Sequence, residues 1–223
     1  MILDKFSLRG KTALIAGGEG LLGKVIKETI KELDGHALSV DIKHGADIIC
    51  DLTVFTSVLS LAHLPIDILI NCAVGNQKPG YDFSLNWEQD LRLGLTASMY
   101  TIECLGDQLR KRNGVILNVG SDLSLIAPDN SLYPPNMVKP LSYSVVKHGI
   151  IGLTRYFAAL WPNVRCNCLC PGGIEQGQKV PKNIIGRNAK LSEITGPVAF
   201  LVSDASSFMT GSIMTVDGGR TCL

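Results

Sequence analysis

At 223 residues, 46% of them hydrophobic, the chain has enough apolar material for one sizeable core and fits a single α/β domain better than two. Its 21 lysines and arginines nearly balance 20 aspartates and glutamates, so no basic field marks a binder of nucleic acid or of an anionic membrane. No apolar run approaches the roughly 18 residues of a membrane span, and MILDKFSLRGK lacks the unbroken apolar core of a signal peptide. Seven cysteines, an odd number, fit a reducing compartment better than a disulfide framework, so the expectation is a cytoplasmic protein.

The first predicted strand, TALIAG over 12–17, runs into AGGEGLLGK, which sets Gly17, Gly18, Gly20 and Gly23 before a helix predicted over 21–33. Glycine is needed where a backbone turns tightly against a pyrophosphate, and a helix N-terminus offers that anion free N–H groups and a positive dipole end. The second strand, HALSVD over 36–41, ends on Asp41, the acid expected to accept hydrogen bonds from an adenosine ribose. A tight turn followed by a surface aspartate has the same spacing without a ligand. The strand before the glycines and the helix after them favour the dinucleotide site.

Short strands ADIIC (46–50) and DILINCA (67–73) follow, then a long helix over 84–111 and the strand GVILNVGS (114–121), which ends on Ser121. Such runs are rich in β-branched or apolar residues, as in strands buried on both faces. The segment APDNSLYPPNMVKP (127–140) carries four prolines, which exclude regular structure and make it a surface loop or lid.

The loop leads into a helix predicted over 142–161, where LSYSVVKHG sets Tyr143 and Lys147 four positions apart on one face. At that spacing an ammonium can favour a phenolate beside it. A packed tyrosine next to a solvated lysine has the same pattern, so the pair alone does not decide. In the next strand, VRCNCLC (164–170), Cys166, Cys168 and Cys170 share a face. Their thiols point roughly parallel, and no C-x-x-C or nearby histidine completes a tetrahedron, so no metal site is expected and the cysteines read as core. A helix over 192–203 and the strand SIMTVDGG (212–219) complete the alternation. Strands and helices taking turns imply right-handed crossovers: a single-domain, Rossmann-like, doubly wound parallel sheet flanked by helices, spanning 1–223.

Gly17, Gly20 and Gly23 in AGGEGLLG, Asp51 in CDLT, NCAVG at 71–75, NVGSD with Ser121, YSVVK, PGG at 171–173 and VDGG at 216–219 stand in a familiar order. In that order and setting the chain resembles the short-chain dehydrogenase/reductase family over nearly its whole length. The resemblance implies a catalytic set of Ser121, Tyr143 and Lys147. Tyr143 would protonate a carbonyl oxygen or take the proton of an alcohol, and Ser121 would hydrogen-bond that oxygen. Lys147 would lower the Tyr143 pKa from about 10 and reach the nicotinamide ribose.

The same resemblance implies NAD(H), preferred over NADP(H) because Asp41 repels a 2′-phosphate, with Lys43 nearby to soften that preference. The residues carried over for the cofactor are Gly17, Glu19, Gly20, Leu21, Leu22, Asp41, Ile42, Asp51, Leu52, Cys72, Ala73, Val74, Lys147, Pro171, Gly172 and Ile174. A homodimer or homotetramer is implied too, with the surplus apolar and small residues Leu95, Ala97, Met99, Ile150, Gly152 and Ala158 at its interface. The composite SDLSLIAPD … YSVVKHG … PGG is similar to a branch concerned with bacterial surface-glycan and flagellin modification, which implies a sugar-derived secondary alcohol or ketone as substrate. A 3-oxoacyl-carrier-protein reductase using NADPH, and a scaffold that binds NAD without turnover, are the alternatives.

Several positions depart from the family pattern. Leu21 stands where the commonest glycine spacing has its middle glycine, and Gly94 aligns with the asparagine that usually carries a water chain behind the lysine. The stretch between Asp41 and Asp51 is too short for the usual helix. An insertion over 123–141 lies between Ser121 and Tyr143 and offers Asp129, Asn130, Tyr133, Asn136 and Lys139 as polar contacts, while the lid region from Pro171 to Arg187 is short. The insertion is expected to cover the pocket in place of that lid.

Overall fold

The computed structural model describes residues 1–75, 86–133, 135, 138–175 and 182–223. The expected contact Asn136, the first two residues of the helix expected over 84–111 and the middle of the Pro171–Arg187 stretch lie outside the described residues. Seven strands form one sheet: β1 (Thr12–Ala16), β2 (His36–Asp41), β3 (Ile48–Ile49), β4 (Ile68–Asn71), β5 (Val115–Val119), β6 (Arg165–Pro171) and β7 (Ile213–Val216). Their order is β3-β2-β1-β4-β5-β6-β7, with every pairing parallel. The order reverses between β1 and β4, and a crevice opens beyond the carboxyl ends of strands at such a switch point.

Successive residues of a strand face opposite sides, and here both sides are buried. Leu14 and Ala16 of β1 join Leu69, Ile116 and Cys166 in one core, closed by Leu105, Leu109, Phe157 and Trp161. Ala13 and Ile15 join Ile68, Ile70, Leu117 and Leu169 in the other, closed by Ile26, Ile30, Val198 and Leu201. The first layer consists of α2 (Phe55–Leu59), α4 (Ala97–Lys111) and α5 (Leu141–Leu160), and the second of α1 (Leu21–Glu32) and α6 (Ser192–Val202). Each fully buried leucine or isoleucine contributes about 1.5–3 kcal/mol to this two-sided core.

The long helix expected to end at 111 is a composite. α3 (Trp87–Leu91) passes through a π-helical turn, Arg92–Thr96, into α4. Gly94 sits in that turn, and a Cβ there would stand 2.5 Å from Val146 Cγ1 on α5. A side chain at 94 would therefore have to displace the buried Val146, so glycine at this position is compatible with close packing of the turn on α5. The trimmed crossover after β2 is a short turn leading to the two-residue β3. The proline-rich insertion is less irregular than its composition implies, since Asn130–Leu132 forms a 3-10 turn in which the Asp129 carboxylate accepts from Ser131 N at 2.9 Å.

Candidate active site

At the end of β1 the chain turns under the crevice. Gly17 adopts φ +81°, and a Cβ on it would stand 2.6 Å from Ala73 Cα, so both conformation and space demand glycine. Gly20 then caps α1 with no side-chain hydrogen bond to it. The first-turn N–H groups of α1 have no helical acceptor and, with the positive dipole end, suit a pyrophosphate. Asp41 stands across the loop, its Oδ2 accepting from Glu19 N and its Oδ1 from Lys43 N, each at 3.2 Å. The fit to a dinucleotide is therefore good: a cradle that a side chain would fill, and an acid at its rim.

The remaining cofactor positions divide into those that face the crevice rim and those that do not. Leu21, Ile42 and Val74 are exposed, at 40%, 68% and 42%. Ala73 backs the glycine turn, Leu22 packs on the core, and Cys72 donates its thiol to Ala16 O at 3.0 Å, with burial pushing its pKa up to about 12. Pro171 ends β6, Gly172 N donates to Val216 O at 3.0 Å, and Ile174 pairs with Ala189. Two expected contacts need correction. The Glu19 side chain is mostly buried between Lys24 (3.8 Å) and Lys27 (3.9 Å), so only its backbone lines the loop. Leu52 is 4% exposed and its side chain belongs to the core, beside an Asp51 that accepts from Thr53 N and Oγ1 at 2.9 and 2.7 Å.

Ser121 follows β5 and caps a short 3-10 turn, Asp122–Ser124. Its Oγ accepts from Leu123 N at 3.2 Å and donates to Asp122 Oδ1 at 2.8 Å, while its own N–H donates to Ser124 Oγ at 3.0 Å. Asp122 Oδ2 in turn accepts from Arg220 Nη1 at 2.6 Å, with side chains 5% and 10% exposed. Arg220 is held by Asp217, whose carboxylate accepts from Gly219 N at 3.0 Å and Thr221 N at 2.8 Å. The C-terminal end of the chain is therefore anchored to the residue beside Ser121. Sequence reading missed both members of this pair. An acid directly after Ser121 and an arginine directly after VDGG are the signal for it, but 98 residues separate them.

Tyr143 and Lys147 rise from the first turns of α5, whose start is fixed by a hydrogen bond from buried Ser142 to buried Asp90. Lys147 is 5% exposed and donates to Val119 O at 2.8 Å, with its Nζ 5.7 Å from the Tyr143 ring centroid. Burial pulls the Lys147 pKa down to about 8. Burial also pushes the Tyr143 phenol above its ordinary value; the Ser121 hydroxyl opposes that shift and the Asp122 charge adds to it. The lowering of Tyr143 by Lys147 expected from the sequence does not prevail in this structure. Desolvation penalises the phenolate, and the ammonium is turned toward the Val119 carbonyl. On the other side of the site Lys139 holds its Nζ 4.0 Å from the Tyr143 ring centroid.

Behind these groups runs a chain of buried polar side chains paired with one another. Thr101 Oγ1 donates to Asn71 Oδ1 at 2.7 Å, Asn71 Nδ2 to Asn118 Oδ1 at 3.0 Å, and Asn118 Nδ2 to Thr154 Oγ1 at 3.0 Å, which locks the carboxyl ends of β4 and β5 to α4 and α5. Cys166, Cys168 and Cys170 are all 0% exposed, the first in the main core and the others against α5.

Sheet order, glycine turn and the groups on β5 and α5 define a class: a Rossmann-type oxidoreductase working with a nicotinamide dinucleotide. Within that class the chain belongs to the short-chain dehydrogenase/reductase family, since residues 9–221 match its model described as enoyl-(acyl carrier protein) reductase. It is 28% identical to 2-dehydro-3-deoxy-D-gluconate 5-dehydrogenase of Bacillus subtilis (strain 168), over 97% of this chain and 96% of that one. It is 30% identical to 3-oxoacyl-(acyl-carrier-protein) reductase FabG of Aquifex aeolicus (strain VF5), over 98% and 90%. A short-chain dehydrogenase from Leptospira borgpetersenii serovar Hardjo-bovis, solved with bound NAD+, superposes with a TM-score of 0.87 at 28% identity, covering 96% of this chain and 94% of that one. The chain is an oxidoreductase of CH–OH groups, and among the described residues no helix is long and apolar enough to cross a membrane.

Proposed function

We propose that this chain is a cytoplasmic, NAD-preferring dehydrogenase or reductase that interconverts a secondary alcohol and a ketone on a small, polar, sugar-derived substrate. The observation that carries it is the convergence of Ser121, Tyr143 and Lys147 where β5 meets α5, with Ser121 acting on the Tyr143 phenol. Tyr143 gives its proton to the carbonyl oxygen in reduction and recovers it in oxidation, while Ser121 hydrogen-bonds the same oxygen. Lys147, fixed by Val119 O, supplies positive charge behind the phenol and a donor for the nicotinamide ribose. The nicotinamide, when bound, supplies the hydride acceptor or donor. The glycine turn, the α1 N-terminus and Asp41 hold its pyrophosphate and ribose. The insertion over 123–141 forms the cover of the pocket. A screen of sugar acids, polyols and their ketones with each cofactor, followed at the NADH absorbance, tests the reading; no turnover with any of them overturns it.

A sugar-derived substrate draws support from the gluconate-type relative and from the SDLSLIAPD motif, which is similar to the surface-glycan branch. The FabG relative favours a second reading, a carrier-protein reductase. Cofactor choice separates the two. Asp41 aims a carboxylate at the rim of the glycine turn, and Lys43 is exposed beyond it. NADH is therefore expected to bind tighter than NADPH in parallel fluorescence titrations, and equal or tighter NADPH binding sinks the assignment.

Self-association is the remaining element of the proposal. Ala97 and Ile150, expected at an interface, are 1% and 2% exposed and belong to the interior. The exposed stripe on α5 is instead Leu141, Val145, Gly152, Tyr156 and Leu160, spaced to share one side of the helix. A two-fold helix pairing would bury it. Light scattering at micromolar concentration is expected to give a dimer or tetramer mass, and Tyr156→Glu to reduce it; a strictly monomeric wild type refutes association.

A further inference from the structure

We infer that Lys139 is an anion-binding residue of the substrate site, so that the substrate carries a carboxylate or phosphate close to the carbon that is oxidised or reduced. This rests on the reading above that Tyr143 is the proton-transferring group. Lys139 Nζ stands 4.0 Å from the centroid of the Tyr143 ring, beside the group that marks the reacting oxygen. It is partly buried, and among the described residues no carboxylate lies within ion-pair distance of it.

The acids nearby are already engaged. Asp122 faces Lys139, but it accepts from Arg220 at 2.6 Å, from Ser121 at 2.8 Å and from Leu123 N at 2.8 Å. Asp129 accepts from Ser131 N at 2.9 Å. The other cation beside the ring, Lys147, is committed to Val119 O, while among the described residues the contact given for the Lys139 ammonium is the ring face. Stacking on a tyrosine is worth about 0.5–2 kcal/mol and leaves the ammonium without a hydrogen-bond acceptor. Partial burial also draws the Lys139 pKa downward, the mark of a charge short of solvent. A ligand anion at this point offsets that desolvation and gains a charge-assisted hydrogen bond. A neutral polyol gives no such return.

The test compares wild type with Lys139→Met and Lys139→Arg on matched substrates: D-gluconate, D-sorbitol and D-sorbitol 6-phosphate. Loss of one charge-assisted contact is expected to lower the anionic-to-neutral ratio of kcat/KM by about ten- to a hundredfold in Lys139→Met, with most of it restored in Lys139→Arg. Whether the gluconate or the phosphate arm falls identifies the anion. A ratio that Lys139→Met leaves unchanged, or a wild type that uses sorbitol as well as either anion, overturns the inference. Calorimetric titration of gluconate and of inorganic phosphate into the same proteins with NAD+ present is read alongside. Lys139-dependent anion binding without turnover keeps the anion site and removes the dehydrogenase reading. Turnover without anion preference does the reverse. Absence of both turnover and anion binding removes the two together.

Discussion

Tyr143→Phe is expected to lower turnover by roughly a hundredfold or more, the range of a lost general acid-base group, while cofactor affinity changes little. The substitution keeps the ring and therefore its contacts with Lys139 and Lys147, and it deletes only the proton that moves. The wild-type pH dependence has a definite sign. Only the phenolate can accept the alcohol proton, and burial holds the Tyr143 pKa above its ordinary value, so oxidation rises with pH and reduction falls. Ser121→Ala removes the group that opposes this shift, so its oxidation profile moves to higher pH as turnover drops. Steady-state rates in both directions across the pH range, with each variant, check these outcomes. A Tyr143→Phe enzyme that keeps its rate removes the mechanism.

Arg220→Met is expected to destabilise the fold by about 3–5 kcal/mol, because it strands a buried carboxylate without its partner. Asp122 is 3% exposed and is held in place by three donors, of which Arg220 is the charged one. The double variant Asp122→Asn, Arg220→Met recovers much of that loss, since a neutral amide costs far less to bury than an unpaired charge. Urea unfolding of wild type, both single variants and the double variant reads the cycle. Equal stability of Arg220→Met and wild type shows the pair to be energetically idle. Activity adds a second readout. Asp122 orients Ser121, so turnover in Arg220→Met falls even at temperatures where the protein remains folded.

Most of the fold was legible because its signals are local. Apolar runs at 12–17, 36–41 and 164–170 became β1, β2 and β6 with ends shifted by a residue or so, and α5 began one residue before its predicted start. Gly17 and Asp41 could be placed for the same reason: a tight turn and the end of a strand are properties of a few adjacent residues. The interior of the long helix was not legible: a π-helical turn interrupts it at 92–96, and Gly94 within that turn packs against Val146 of another helix, a contact no local pattern shows. Nor was the side chain of Leu52, whose place depends on how the chain enters α2. The self-association stripe was partly misread, because periodicity does not say which of two apolar sides of α5 meets the sheet.

The sequence by itself determined the doubly wound class and the glycine turn after β1, and it pointed to Ser121, Tyr143 and Lys147 as the proposed catalytic set, since each signal is written in spacings of a few residues. Tertiary structure alone decided the electrostatics of the site. Lys147 turns toward Val119, Lys139 comes to the Tyr143 ring from outside α5, and Arg220 reaches back across 98 residues to Asp122. These contacts depend on burial and on charges that approach only when the sheet is assembled. The Tyr143 phenol stands above its ordinary value, opposite to the expected direction, chiefly because burial disfavours the phenolate, and no local pattern encodes burial.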